Sequence, residues 1–330
     1  MNDLATGGLE KGTYWDASDL MSQQFPAPRW AVPGVIPEGL TLLAGSPKVG
    51  KSWMCLGLAV ACATGGLAFG TVRVEAGPVL YCALEDTPRR LQDRLRKVLD
   101  GDPVPNDLAF VTALPMMPEA TNLVAGWLVD HPEARLVVVD VLRKIRPPES
   151  ASDLYERDYA VMGQLKRVSD HFGVAVVVVH HTRKTIDESD VFNEISGSTG
   201  LTGAADAMMV AKKARRNTAE ATLHITGRDI EETEHALAWD ATQFRWLMSG
   251  KPVALLGQSP NRQRISMHLA DHPGDTPQAI ANALDLTEPN VRQTVRRMVV
   301  DAELDSDGEG HYFVPARTVT PVTQSPTTGD

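Results

Sequence analysis

Residues 45–52 read Gly-Ser-Pro-Lys-Val-Gly-Lys-Ser, a spacing that holds phosphate. Gly45 and Gly50 let backbone N–H groups turn toward phosphate oxygens. Lys51 brings a point charge to the β- and γ-phosphates, and Ser52 offers a hydroxyl to Mg²⁺. Ser46, Pro47, Lys48 and Val49 make the turn between the glycines, and Trp53 continues into the helix that the motif opens. The motif follows an apolar run at 40–44 and precedes a helical pattern at 51–64, an order that aims a helix N-terminus at an anion. This is a nucleotide site.

Other chemistry-bearing residues close further apolar runs. Asp140 ends Leu-Val-Val-Val-Asp at 136–140, where a carboxylate beside a phosphate loop can hold the shell of Mg²⁺. Glu85 follows the run 79–84 and can polarise an attacking water. Its neighbour Asp86 suits the start of the next helix, so Glu85 is favoured as the base. His180 and His181 end the run 174–179, and either can sense a γ-phosphate. Zinc is disfavoured there, since no third ligand has suitable spacing.

The elements that must position these groups alternate. Short Val- and Leu-rich runs at 40–44, 79–84, 108–112, 136–139 and 174–179 read as strands buried on both faces. Between them, helical patterns occupy 51–64, 88–99, 118–130 and 154–172, with Thr87-Pro88 as a helix start. The pattern predicts an α/β domain over 29–250, a mostly parallel sheet wound on both sides. Runs at 206–212, 219–226, 236–239 and 244–247 predict an antiparallel extension of the sheet. After a linker signal at 249–252, helices at 259–271, 277–284 and 288–302, a short strand, an acidic turn at 305–310 and an aromatic strand at 311–314 predict a winged helix spanning 255–315. Residues 1–28 read as a flexible lead-in. The Thr- and Pro-rich 316–330 read as a disordered tail.

Composition narrows the class. The 330 residues are 43% hydrophobic and 22% charged, ordinary for a globular chain. The absence of a long apolar run argues against a transmembrane helix, and the N-terminus lacks a secretory pattern. Three cysteines without CxxC spacing exclude a disulfide framework and fit a reducing cytoplasm. A net charge of −10 argues against passive coating of nucleic acid, so any DNA contact must come from local basic loops.

Residues 30–39 (WAVPGVIPEG), GSPKVGKS, Leu84-Glu85-Asp86, VVVDVLRKIR and VVVVHHTRK together resemble the RecA-fold ATPases of the RepA-like and DnaB-like AAA family, related to the hexameric replicative helicase of broad-host-range plasmids. The resemblance covers about residues 29–247. It implies a phage, plasmid or integrated-element motor that binds ATP and Mg²⁺ between the subunits of a homo-oligomeric ring and acts on single-stranded DNA. Lys51, Glu85, Asp140 and His181 (or His180) would serve one site. Arg228 in Thr-Gly-Arg-Asp would be an arginine finger from the neighbouring subunit, with Lys212, Lys213 and Arg215 as fallbacks; locally, Arg228 could instead pair with Asp229 or Glu231. Asp140 has no second acidic residue beside it, which leaves metal ligation resting on one carboxylate.

In such rings two loops face the centre. Here they carry Arg143, Lys144 and Arg146 in one, and Arg183 and Lys184 in a second that runs without strong periodicity to Gly203. Phe192 is a weak candidate for stacking on bases. In the winged helix, Thr287 can cap the third helix, whose exposed face bears Arg292, Gln293, Arg296 and Arg297 and suits DNA. Residues 255–330 carry six Lys or Arg against ten Asp or Glu, and the wing is acidic, so the module suits a replication-protein partner equally. A recombination or loading ATPase and an ATP-switched DNA-binding regulator remain as alternatives.

Overall fold

The computed structural model describes residues 15–147, 154–183, 187, 190–214 and 218–315. Nine strands form the central sheet: β1 (Gly39–Gly45), β2 (Val79–Ala83), β3 (Leu108–Val111), β4 (Leu136–Asp140), β5 (Ala175–Val179), β6 (Ala207–Lys213), β7 (Glu220–Gly227), β8 (Thr233–Asp240) and β9 (Arg245–Met248). Their order is β9-β8-β7-β6-β1-β5-β4-β2-β3. The six strands from β3 across to β6 run parallel. Strands β7 to β9 extend the sheet antiparallel beyond β6.

Every other residue of the central strands goes to the opposite face, as the period of two requires. Leu40, Leu42, Val137, Val139, Val176 and Val178 pack with α3 (Glu119–Asp130) and α4 (Leu154–Phe172). Leu43, Leu136, Val138, Val177 and Val179 pack with α1 (Lys51–Thr64) and with Leu91 of α2 (Pro88–Leu99). Thr87 caps α2, its hydroxyl accepting from the Arg90 N–H at 3.3 Å. The predicted cysteine state is found: Cys55, Cys62 and Cys82 are free and buried.

Several short elements carry no pattern long enough to be read from sequence. Strands Trp30–Val32 and Ile36–Pro37 pair with each other, as do Leu67–Ala68 and Val72–Arg73. Within the segment read as a flexible lead-in, Ala17–Ser22 is a short helix that buries none of its residues. The long second loop is not featureless: Thr182 bridges to Ile195, a 3-10 turn spans Val191–Glu194, and a short helix spans Thr199–Gly203.

The C-terminal unit comprises α5 (Pro260–Asp271), α6 (Pro277–Leu284), α7 (Glu288–Val300) and the strand pair Asp305–Ser306 and Tyr312–Phe313. It has its own core, built on Ile265, Leu269, Ile280, Val291, Val295, Met298, Leu304 and Tyr312. Thr287 stands at the N-cap of α7, but its side chain makes no capping bond. Among the described residues no helix is long and apolar enough to cross a membrane.

Candidate nucleotide site

The sheet register brings the chemistry to one edge. Leu43 pairs with Val179 and Ala83 with Asp140, so the ends of β1, β2, β4 and β5 lie side by side. These ends carry the phosphate loop, Glu85, Asp140 and the two histidines. Helix α1 begins at Lys51 with Gly50 at its cap and no side-chain capping bond, leaving its first N–H groups for an anion.

Two glycines of the loop are required by space, and Gly50 also by backbone freedom. A Cβ on Gly45 would stand 2.7 Å from the Ala211 carbonyl oxygen. Gly50 has φ +103°, and a Cβ there would stand 2.7 Å from the Trp246 indole nitrogen. Ser46, Pro47 and Lys48 are exposed, whereas Val49 is buried in the core beneath them.

Lys51 is only 6% exposed. Its ammonium donates to the Gly45 carbonyl at 2.6 Å and the Ser46 carbonyl at 3.2 Å, and lies 3.4 Å from His181 Nδ1. Burial lowers its pKa to about 8, against the opposing charge of Asp140. The Ser52 hydroxyl lies close enough to Asp140 to favour its anion, and the Tyr81 hydroxyl donates to Asp140 Oδ2 at 2.9 Å. Burial pushes the Asp140 carboxyl up, while these two hydroxyls favour its anion. A buried carboxylate beside a serine hydroxyl is a hard oxygen set that fits Mg²⁺. Metal ligation still rests on one carboxylate, oriented by Tyr81, which had no signal in the sequence because it sits in mid-strand.

The neighbours of the site fall into distinct environments. Asp86 pairs with Arg90 at 3.1 Å and also with Arg94. Glu85 is exposed, and among the described residues its carboxylate has no hydrogen-bond or ion-pair partner. His180 is buried, its Nε2 lying 3.0 Å from the Ser196 carbonyl and 3.1 Å from the Ser196 hydroxyl. His181, not His180, faces Lys51. Burial and the Lys51 charge both lower the His181 pKa.

Trp53 stands beside the cradle in an aromatic cluster. Its ring centroid lies 5.3 Å from Phe244 and 5.9 Å from Trp239, with the Arg94 guanidinium 5.3 Å above it. Trp239 in turn contacts Trp246 at 5.4 Å. These flat faces come from α1 and from the β8–β9 hairpin, which are distant in sequence, and no motif announced them.

Arg228 stands apart from all of this. Ala207 pairs with both Thr41 and Gly227, so Arg228 lies at the edge of the sheet opposite the phosphate loop. It is 62% exposed and pairs with Asp206 at 3.6 Å, not with Asp229 or Glu231. Lys212, a fallback finger, is held by Glu194 at 2.8 Å; Arg215 lies outside the described residues.

The loop cations are only partly as the sequence suggested. Arg143 and Lys144 are exposed. Arg146 is turned inward against expectation, because it forms an ion pair with Asp158, whose side chain is wholly buried. Arg183 donates to the carbonyls of Ile195 at 3.1 Å and Gly197 at 3.2 Å. Lys184 lies outside the described residues. Phe192 is buried in the core and offers no stacking face. On α7, Arg292 pairs with Glu288, while Arg296 is exposed and, among the described residues, without an acidic partner.

A model of the AAA domain family (AAA_25) matches residues 9–187, more than half of the chain. No curated protein matches it in sequence. Among solved structures it is similar to one described as an ATPase domain, with a TM-score of 0.51 and 12% identity over 64% of this chain and 84% of that one. It is also similar to a DnaB-like replicative helicase, whose structure was described with its interactions with primase. That likeness has a TM-score of 0.51 and 13% identity over 64% of this chain and 57% of the other. The chain spans little more than half of that helicase. The chain therefore belongs to the AAA domain family of P-loop ATPases and has the RecA-type fold of DnaB-like helicase ATPase domains.

Proposed function

We propose that the protein is an ATP-driven motor on single-stranded DNA, assembled as a hexameric ring of identical subunits with ATP bound between neighbours. The observation that carries this reading is the placement of Lys51, Ser52, Glu85, Asp140 and His181 on one edge of the sheet and of Arg228 on the other. A finger so placed cannot serve its own subunit's phosphate loop. A head-to-tail ring brings it to the next one.

Lys51 holds the β- and γ-phosphates, and Glu85, with no partner competing for its carboxylate, orients and polarises the attacking water. Ser52 and Asp140 would hold Mg²⁺, which neutralises charge on the phosphates when bound. His181, kept neutral by burial and by Lys51, accepts from the ammonium at Nδ1 and presents Nε2–H to the γ-phosphate. Arg228 of the neighbour stabilises the charge that develops as the bond breaks. The basic loops after β4 and β5, repeated around the ring, contact the strand and shift with the nucleotide.

The C-terminal unit is read as a winged helix. Its groove along α7 is lined by Arg262 and Arg292, which pair with Asp301 and Glu288 of the same groove, and by Arg296 and Arg297. The latter two are what it would offer to an anionic partner, either DNA or an acidic face of a replication protein.

A mixing experiment tests the subunit arrangement. Lys51→Ala and Arg228→Ala each abolish turnover alone. Mixed rings regain part of it, because some interfaces then join an intact phosphate loop to an intact finger. No recovery in rings shown to be mixed rejects the finger. ATP-dependent separation of a forked DNA, lost in Lys51→Ala, tests the motor. DNA-stimulated turnover without separation would instead favour a loader or recombination role.

A further inference from the structure

The first turns of α4 carry Tyr155 and Tyr159, one helical turn apart. Their rings are nearly parallel, 11° between planes with centroids 6.1 Å apart, and they are 44% and 50% exposed. Leu154 beside them is 45% exposed. A stack of two half-exposed aromatic rings is unusual on a helix whose other face is core, and nothing in the nucleotide site uses it.

The same turns of α4 are fastened to both basic loops. Asp158, between the tyrosines and fully buried, pairs with Arg146 of the first loop. It also accepts from the N–H of Ser198 at 3.1 Å and its hydroxyl at 2.9 Å, in the second loop. Gly197, next to Ser198, takes the bond from Arg183. At Gly200 the second loop lies directly on the helix: a Cβ there would stand 2.5 Å from the Tyr155 carbonyl oxygen and 3.0 Å from the Tyr159 nitrogen. The turns that carry the tyrosine pair are thus tied to the first loop through Arg146 and to the second, which bears Arg183, through Ser198 and Gly200. The nearest acidic group left in solvent on these turns is Glu156.

We propose that Tyr155 and Tyr159 form a base-stacking platform for single-stranded nucleic acid, next to the cationic loops that hold its phosphates. The proposal rests on the single-strand reading above and gives it a component that loop charge cannot supply. Phosphate contacts are indifferent to whether a base is present, whereas aromatic faces bind any base and require one. Flat rings with no hydrogen-bonding edge committed to a particular base make the platform tolerant of sequence.

The test compares the full-length protein's affinity for an oligodeoxythymidylate with that for an abasic oligodeoxynucleotide of equal length, with nucleotide binding and assembly size measured alongside. The wild type should prefer the base-bearing strand by at least about fivefold, the low end of one base–aromatic stack. Tyr155→Ala/Tyr159→Ala should lose that preference while keeping its affinity for the abasic strand, and Tyr155→Phe/Tyr159→Phe should retain it. A preference that survives in the alanine pair overturns the platform. So does equal binding of both strands by the wild type, which leaves the single-strand reading intact. Binding of neither strand overturns both. An alanine pair that changes assembly size and weakens both strands alike makes the tyrosines a subunit contact, and also overturns the platform.

Discussion

The phosphate cradle and the basic loops both concentrate positive charge on an acidic chain, yet they hold it by different means. Lys51 is held by carbonyls of Gly45 and Ser46, six and five positions away in its own motif. Arg146 and Arg183 are held by residues farther along the chain: Asp158 on α4, and Ile195 and Gly197 across the second loop. A locally held cation stays close to the ligand it serves. A cation held at long range ties elements together, and this chain spends Arg146 that way, while Arg183, bonded to carbonyls, stays exposed. Charge in a loop is therefore no measure of charge offered to a ligand.

The largest way to sharpen this contrast is at Arg228, whose hold is a single 3.6 Å pairing with Asp206 and whose side chain stands 62% exposed at the far edge. If it serves a neighbouring site, Arg228→Ala should cost about 10³-fold or more in turnover with nucleotide affinity nearly unchanged. Steady-state hydrolysis beside equilibrium nucleotide binding measures both. Equal hydrolysis by the variant would make Arg228 only a surface partner of Asp206.

Next in size is the long-range tie itself. Asp158→Asn leaves Arg146 without its counter-charge in a mostly buried setting, and such a break costs about 3–5 kcal/mol. Urea denaturation should show it as a lower midpoint at unchanged slope. Stimulation of hydrolysis by single strands should fall with it, because both loops lose their common anchor. An Asp158→Asn protein as stable and as responsive as the wild type would reduce the ion pair to decoration.

The cradle responds to pH through Lys51. Lys51 titrates at about 8 because it is buried, so below that pH it carries the charge that phosphate needs, and above it the charge is lost. Nucleotide affinity should weaken about tenfold from pH 7 to pH 9, and Lys51→Ala should remove that slope. In the absence of nucleotide the sign for folding is reversed. The unfolded chain binds this proton more tightly, so stability gains as pH rises from about 8 toward the ordinary lysine value of 10.5.

How much was legible follows the same division. The phosphate loop, the strand-end carboxylates and the boundaries of α1, α2 and α4 could be read directly, because apolar periods and a local motif encode them. The sheet edges could not. The antiparallel extension itself could be read, but that Arg228 lies opposite Lys51 depends also on the register that sets Ala207 beside Thr41 and Gly227, which no run of apolar residues encodes. The inward turn of Arg146 and the burial of Phe192 escaped for a related reason: each depends on what α4 and the second loop bring to it from elsewhere in the chain. The aromatic cluster around Trp53 was hidden because its rings come from segments nearly two hundred residues apart.

Tyr81 provides the finest distinction, since it joins a core strand to the site. Its ring packs edge-on against Phe110 at 5.8 Å while its hydroxyl reaches Asp140. Tyr81→Phe keeps the packing and removes one neutral donor to a buried carboxylate. The expected cost is small, about 0.5–1.5 kcal/mol. Its direction is the informative part. Losing a bond that favours the anion raises the Asp140 carboxyl further, so Mg²⁺-dependent nucleotide binding should weaken more as pH falls than it does in the wild type, while binding without the metal changes little. Titrating nucleotide with and without Mg²⁺ across mildly acidic pH separates the two. Equal losses in both titrations would mean that Tyr81 only supports the strand, and that Asp140 is held in its charged form by Ser52 alone.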